Sequence, residues 1–106
     1  MAGTSETPVL ELLATMTAES LEASNLDETS LMLVRIAALV AVDAPPSSYL
    51  MNLGMAAETG VDVEQIRGVL AAVAPIVGTA RVAAATGNIV RALGIALEVA
   101  DQDADL

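Results

Sequence analysis

Apolar residues recur at spacings of three and four along most of the chain, and this spacing predicts α-helices rather than strands. The pattern divides the chain into five segments, separated by short stretches that contain Asn, Pro or Gly. No segment shows the period-two alternation of a half-buried strand. We therefore expect one all-α domain over residues 1–106, built as a compact bundle of about five helices.

The first predicted helix begins at Pro8, which suits the first turn of a helix, with Ser5 or Thr7 as its cap. Its glutamates face outward and its apolar residues share one side, which predicts an amphipathic helix on the surface. The apolar stripe consists of Val9, Leu10, Leu13, Met16 and Leu21. We expect the terminal segments 1–7 and 101–106 to be loose.

The second predicted helix runs from Glu28 to about Val42, and Asp27 can cap it. It is apolar on nearly every side, as expected of a helix in the middle of a bundle or at a subunit contact. Arg35 lies at its centre, and the residues three and four positions away are all apolar. An unpaired ion in such surroundings costs several kcal/mol. We therefore expect Arg35 to have a partner, either a protein carboxylate or a bound anion.

The sharpest turn of the chain joins the third and fourth predicted helices. Pro46 can begin the third helix, which should run to Thr59. Gly60 can take the left-handed conformation that closes it. Asp62 then caps the fourth helix and forms a capping box with Gln65.

The fourth helix has the longest apolar run of the chain, and we expect its apolar face to be buried. That face consists of Ile66, Val69, Leu70, Val73, Ile76 and Val77. Pro75 should kink or end the helix just before Gly78. A fifth helix should follow from about Thr79 to Ala100. We expect the second and fourth helices to be the central ones.

Composition indicates an assembly. Hydrophobic residues make up 55% of the 106 residues, yet there is no Phe or Trp and only one Tyr. The core must therefore consist of Leu, Val, Ile, Met and Ala. A chain of this length cannot hide so much apolar surface within a monomer. We expect an obligate homo-oligomer.

The formal net charge of −10 opposes binding to nucleic acid, whose phosphates would be repelled. The longest uncharged apolar run, Gly68 to Ala80, is thirteen residues, whereas a membrane-spanning helix needs about 20. The first ten residues lack the basic region of a signal peptide. We therefore expect a cytoplasmic protein without nucleic-acid or membrane partners.

The absence of Cys excludes a disulfide, a thiol nucleophile and a redox dithiol. The absence of His argues against a zinc site and against a His-based proton relay. We expect neither a metal nor another cofactor.

The arginines are the first candidates for a binding site. Only Arg67 has an acid, Glu64, three or four positions away; Arg35, Arg81 and Arg91 have none, in a chain with 14 acids. One interpretation is an anion pocket, because a guanidinium binds a carboxylate through two parallel hydrogen bonds. The other interpretation is a set of ion pairs between subunits.

Tyr49, Asn52 and Ser48 lie on the first turns of the third helix and could donate hydrogen bonds to a carbonyl or oxyanion. Alternatively, Tyr49 is a core residue with its hydroxyl at the rim, Asn52 faces solvent and Ser48 is a cap contact.

For two further groups of residues we favour structural roles over functional ones. A gap-filling core role suits Met32, Met51 and Met55, and cap or first-turn charges explain Glu58, Asp62 and Glu64.

The order of helices and turns, with two stretches of sequence, resembles the carboxymuconolactone decarboxylase family, which also contains the AhpD-like alkylhydroperoxidases. The stretches are LDETSLMLVRIAALVAV, from Leu26, and NLGMAAETGVDVEQIRGVLAAVAPIVGTA, from Asn52. The most specific part is A-x-x-x-G-V-x-x-E-x-I at residues 56–66. The resemblance covers Leu26 to Val99 and implies an AhpD-like fold assembled as a trimer or hexamer.

The chain departs from the family's site motifs. The Cys-x-x-Cys pair and following His of the AhpD-like branch would fall on Pro45, Ser48 and Asn52. In the decarboxylase branch, the His and Arg of His-Leu-Arg would fall on Asn52 and Gly54. The later G-x-P-A motif is replaced by GTAR at 78–81. A thiol peroxidase is therefore chemically excluded.

The resemblance then implies a divergent lyase or isomerase acting on a small carboxylated lactone or related anion. The catalytic candidates are Asn52 and Tyr49, and the substrate-binding candidates are Arg35, Arg81 and Ser48. The alternative is a non-catalytic helical oligomer that serves as a binding or assembly module.

Overall fold

A computed structural model describes the backbone of residues 7–104 and the side chains of residues 7–94. This part of the chain contains five helices and no strand, which confirms the all-α prediction. The helices are α1 (Pro8–Ser24), α2 (Glu28–Ala41), α3 (Pro46–Glu58), α4 (Val63–Val77) and α5 (Thr79–Ala104). The expected loose residues 1–6 and 105–106 lie outside the described backbone.

The predicted N-terminal caps of α2 and α4 are confirmed. The Asp27 carboxylate accepts hydrogen bonds from the Ser30 backbone N–H at 3.0 Å and from its hydroxyl at 2.7 Å. At α4, Asp62 accepts from the Gln65 N–H at 2.8 Å, and Gln65 Oε1 accepts from the Asp62 N–H at 3.0 Å. Both caps satisfy N–H groups that have no partner inside the helix.

The predicted helix ends are confirmed at two glycines, while the end of α5 differs. Gly60 has φ +88° after α3, and Gly78, the residue directly after Val77 at the end of α4, has φ +90°. α5 continues to Ala104, whereas we expected the helix to end at about Ala100. No Gly or Pro follows Gly94 to stop the helix.

The buried core lies between α2, α3 and α5. It contains one large side chain, Tyr49, surrounded by aliphatic and Ala side chains. Its other members are Met32, Ile36, Val40, Ala44, Leu53, Ala56, Val61, Ala85, Ile89 and Ala92. The core prediction is confirmed for Met32, whereas Met55 is half-buried beside the core and Met51 is 66% exposed. The core interpretation of Met51 is therefore wrong.

The fourth helix is less central than we expected. It packs against α2 and α5, but none of its residues is buried. Most of its predicted apolar face is half-buried, whereas Ile76 is 86% exposed. On a helix with 100° between residues, Ile76 lies about 80° from Ile66, which is near the centre of that face. Ile76 lies at one edge of the apolar arc, beyond the part that α2 and α5 cover.

The first helix is on the surface, as predicted, and no residue of it is buried. Its apolar residues are more than one-third exposed, with Leu10 at 61%. The second helix also has exposed apolar residues away from its buried side, such as Val34, and Val42 directly after the helix is exposed too. No helix in residues 7–104 has both the length and the apolar character needed to cross a membrane.

Candidate functional site

A cavity of about 360 Å³ lies between α1, α2 and α3, and we call it the Arg35 cavity. Its lining comes from three separate parts of the chain. The lining residues are Leu13, Met16, Thr17, Ser20, Arg35, Ala38, Leu39 and Asn52. Half of the eight lining residues are apolar, and the other four have polar or charged side chains that a ligand could contact.

Arg35 reaches across this cavity to α1. Its Nη2 donates a hydrogen bond to the Ser20 hydroxyl oxygen at 2.8 Å and another to the Thr17 carbonyl oxygen at 3.4 Å. Both partners are neutral. In the described side chains, the one ion pair joins Arg67 to Glu64 at 2.6 Å, on the surface. The Arg35 charge thus has no carboxylate partner in this part of the chain.

Asn52 enters the same cavity from the second turn of α3. Its Nδ2 donates a hydrogen bond to the Ser48 carbonyl oxygen at 2.9 Å, one helical turn earlier. This bond holds the amide in place and leaves a second N–H and the amide oxygen for other contacts. Arg35 and Asn52 are the two predicted site residues that the structure brings into one cavity.

Tyr49 lies away from this cavity, in the core, where its side chain is 0% exposed. Its hydroxyl is buried and has no hydrogen-bond partner among the described residues. Burial raises the pKa of the phenol above its ordinary value, and the negative charge of Asp43 adds to this effect. The interpretation that placed the hydroxyl at the rim is therefore wrong.

The remaining candidates do not line the Arg35 cavity. Ser48 is half-buried on α3 and contributes its carbonyl to Asn52. Arg81, on α5, donates from Nη1 to the Ala41 carbonyl oxygen at the end of α2. Such a contact satisfies a carbonyl that has no partner within its helix. Arg81 therefore has a structural contact that joins α5 to α2.

Arg91 has a similarly local contact. Its Nη1 donates to the Asn88 amide oxygen at 3.5 Å, while Asn88 Nδ2 donates to the Ala44 carbonyl oxygen at 3.2 Å. Together with Arg81, this places two arginines along α5. The interpretation in which the arginines gather in one anion pocket therefore does not hold for the described part of the chain.

Sequence reasoning missed Thr17 and Ser20, which supply the direct contacts of Arg35. Both are polar residues within the apolar stripe of α1, at positions that face the same side as Leu13 and Leu21. A polar pair three positions apart on an otherwise apolar face was the available signal. What the sequence lacked was any indication that α1 faces Arg35.

One known protein family matches most of the chain. The model of the carboxymuconolactone decarboxylase family matches residues 7–88, which is more than three quarters of the chain. The chain belongs to that family. No curated protein and no solved structure gives a significant match.

As a member of the carboxymuconolactone decarboxylase family, the chain carries Asn52 where the resemblance places a His. Arg35, Asn52 and Ser20 can bind a carboxylate or polarise a carbonyl. The cavity lining contains no Asp, Glu, Lys or Tyr that could carry a proton in catalysis. Within residues 7–94, no three acidic side chains form a group suited to a metal ion.

Proposed function

We propose that this member of the carboxymuconolactone decarboxylase family binds a small carboxylated anion, such as a carboxylated lactone, in the Arg35 cavity. The observation that supports this function is the guanidinium of Arg35, which has only neutral partners in the described part of the chain. A ligand carboxylate would supply the missing negative charge.

The proposed ligand contacts follow from the available hydrogen-bond donors. In the described structure, Nε and Nη1 of Arg35 make no hydrogen bond, so each can donate to a carboxylate oxygen. A fork of two parallel N–H groups includes Nη2, so a carboxylate bound in that way would replace the Nη2 bond to Ser20 or to the Thr17 carbonyl. The free N–H of Asn52 and the hydroxyl of Ser20 can donate to the same oxygen atoms or to a lactone carbonyl. Arg35 therefore supplies the charge, and its neighbours orient the ligand.

We also propose that the protein is a homo-oligomer, either a trimer or a hexamer. The exposed apolar side chains of α1 and α2 support this proposal, since a second subunit could cover them. Assembly creates a rival explanation for Arg35. A carboxylate of another subunit could pair with it, in which case the protein would be an assembly module without a ligand.

A second candidate function is catalysis, as a lyase or isomerase acting on the same lactone class. Asn52 favours it, because this residue occupies the position of the family's His and shares the cavity with Arg35. The two side chains could stabilise negative charge on a substrate oxygen. Incubation of the protein with carboxylated lactones, followed by nuclear magnetic resonance, tests this function. Turnover that Arg35→Met and Asn52→Ala both abolish would support it.

A thermal-shift series tests anion binding. Wild type, Arg35→Met and the surface control Arg67→Met are compared against a panel of dicarboxylates and lactones. We expect ligands to raise the melting temperature of wild type and Arg67→Met, because binding to the folded state stabilises it. Arg35→Met should keep the fold and lose this response.

The opposite outcome would favour the assembly module. If Arg35 pairs with a carboxylate of another subunit, Arg35→Met leaves that acid buried and unpaired. The variant should then lose about 3 kcal/mol of stability or dissociate. A wild type that responds to no anion, together with a destabilised Arg35→Met, would end the proposal of an anion site.

A further inference from the structure

We infer that the ligand is amphipathic: a carboxylate joined to an unbranched apolar chain, with the carboxylate at Arg35 and the chain between α1 and α3. This inference rests on the proposed anion site and specifies its ligand class. It comes from a second cavity of about 300 Å³, which we call the Met51 cavity. Its lining consists of Leu10, Leu13, Ala14, Thr17, Ala18, Leu21 and Met51.

The two cavities adjoin. Leu13 and Thr17 line both of them, so the two cavities are neighbours beneath α1. The inferred ligand spans both, and we call the two cavities together the groove. The Arg35 cavity forms one part of this groove, and the Met51 cavity forms the other. A single ligand can therefore contact Arg35 and Met51 together.

The chemistry of the groove changes along its length. Arg35, Ser20 and Asn52 all line the first cavity and none of them lines the second. In the Met51 cavity, Thr17 is the one polar lining residue, and its carbonyl already accepts a bond from Arg35. Contact with hydrocarbon removes this apolar surface from water, which is favourable. The surface has few groups that could form hydrogen bonds with a second charged group of the ligand.

Charge complementarity selects an anion for the polar end. The chain has 14 acids, yet none of them lines either cavity, and Arg35 is the one charged lining residue. The α1 acids Glu11, Glu19 and Glu22 line neither cavity. The Arg35 guanidinium would repel an apolar cation, and a neutral hydrocarbon would leave its positive charge without a counter-charge.

The size of the Met51 cavity sets the length of the chain. At about 30 Å³ for a water-sized group, its volume accommodates roughly ten methylene-sized groups. Because the groove is open on one side, each methylene is only partly removed from water. We expect the dissociation constant to fall roughly two- to four-fold for each methylene that enters the groove.

The test measures dissociation constants by isothermal titration calorimetry for butanoate, hexanoate, octanoate and decanoate. Octanol serves as the probe without a charge. Ala14→Leu narrows the Met51 cavity, whereas Ala23→Leu makes the same change on α1 at a residue that lines neither cavity. We expect affinity to rise with chain length in wild type and Ala23→Leu. Ala14→Leu should bind butanoate as wild type does and lose the gain from longer chains.

Several outcomes would overturn the inference. Equal binding of all four carboxylates, lost in Arg35→Met, would contradict the apolar chain while leaving the proposed anion site intact. Equal binding of octanol and octanoate would show that Arg35 does not select the ligand. If no carboxylate binds, the proposed function fails as well. Dissociation of the oligomer by Ala14→Leu, without any effect of ligands, would show that a second copy covers the groove.

Discussion

The two sides of α2 are covered to different degrees. On one side, Met32, Ile36 and Val40 are buried around Tyr49 in the core that α2 forms with α3, α4 and α5. On the other side, Arg35 reaches α1 through hydrogen bonds, and no residue of α1 is buried. Both sides of the helix are apolar in sequence. Hydrophobicity therefore identifies surface that must be covered, without identifying what covers it.

The two sides of α2 also differ in whether the polar residue found there is accessible to a ligand. Tyr49 lies on the tightly packed side, where its hydroxyl is buried without a hydrogen-bond partner among the described residues. Arg35 lies on the loosely covered side, beside a cavity large enough for a ligand. The side that packs least within the protomer is thus the side with accessible chemistry.

The largest expected effect compares matched truncations on the two sides. Ile36→Ala leaves a cavity in the core and should cost about 2 to 5 kcal/mol in free energy of unfolding. Leu13→Ala, in the groove, should cost less than about 1 kcal/mol, because Leu13 is already half-exposed. Urea denaturation followed by circular dichroism measures both. An equally large loss for Leu13→Ala would show that an oligomer buries the α1 side.

The two arginine contacts give the next comparison. Arg81→Met removes the hydrogen bond that joins α5 to the end of α2, and should cost about 1 to 2 kcal/mol. Arg35→Met removes the contact with α1 and should mainly speed hydrogen exchange of the α1 amides, since α1 has no buried residue. Exchange measured by mass spectrometry separates the local effect from the global one. Slow α1 exchange in Arg35→Met would contradict the loose attachment of α1.

Tyr49→Phe tests whether the packed side needs its one polar group. The hydroxyl is buried without a described partner, so its removal should leave the stability unchanged or raise it by about 1 kcal/mol. Tyr49→Leu, which also removes ring volume, should destabilise the protein. Calorimetric unfolding checks both variants. A loss of stability in Tyr49→Phe would indicate that an ordered water or another subunit satisfies the hydroxyl.

The smallest effect concerns Asp27, at the start of α2, where neither side of the helix is involved. Hydrogen bonds from the Ser30 backbone N–H and then its hydroxyl hold the pKa of Asp27 below its ordinary value of 3.8. The unfolded chain therefore takes up the proton first. The contribution of the carboxylate to stability is complete above the ordinary pKa and is lost as the pH falls through the lower folded pKa.

Denaturation at a series of acidic pH values, in wild type and Asp27→Asn, measures this contribution. Asparagine keeps a neutral cap that does not titrate. We expect the difference in stability between the two proteins to shrink as the pH falls below about 4. A difference that stays constant would contradict a role for the Asp27 charge.

Local sequence signals predicted the helices well, because caps and turns act within a few residues. Asp27, Asp62, Gly60 and Gly78 each mark a helix boundary that the structure confirms. The relative packing of helices depends on contacts between distant residues. For that reason the sequence could not indicate that Ile76 would be exposed.

The candidate site was predictable only in part. Arg35 was identifiable as a charge within an apolar helix, and Asn52 through a family position. Thr17 and Ser20 were not, since they meet Arg35 across 18 and 15 positions of sequence. Tyr49 had the chemistry of a site residue, but only the packing of α3 against its neighbours determined that its hydroxyl would be buried.

The single tyrosine also makes this protein its own spectroscopic probe. With no Trp or Phe in the chain, near-ultraviolet absorbance and intrinsic fluorescence report on Tyr49 alone, at the centre of the core. Its raised pKa means that the unfolded chain releases the phenolic proton at a lower pH than the folded one, so stability should decline as the pH rises beyond about 10. The tyrosinate absorbance of an alkaline titration would therefore record the opening of the core, with no label attached.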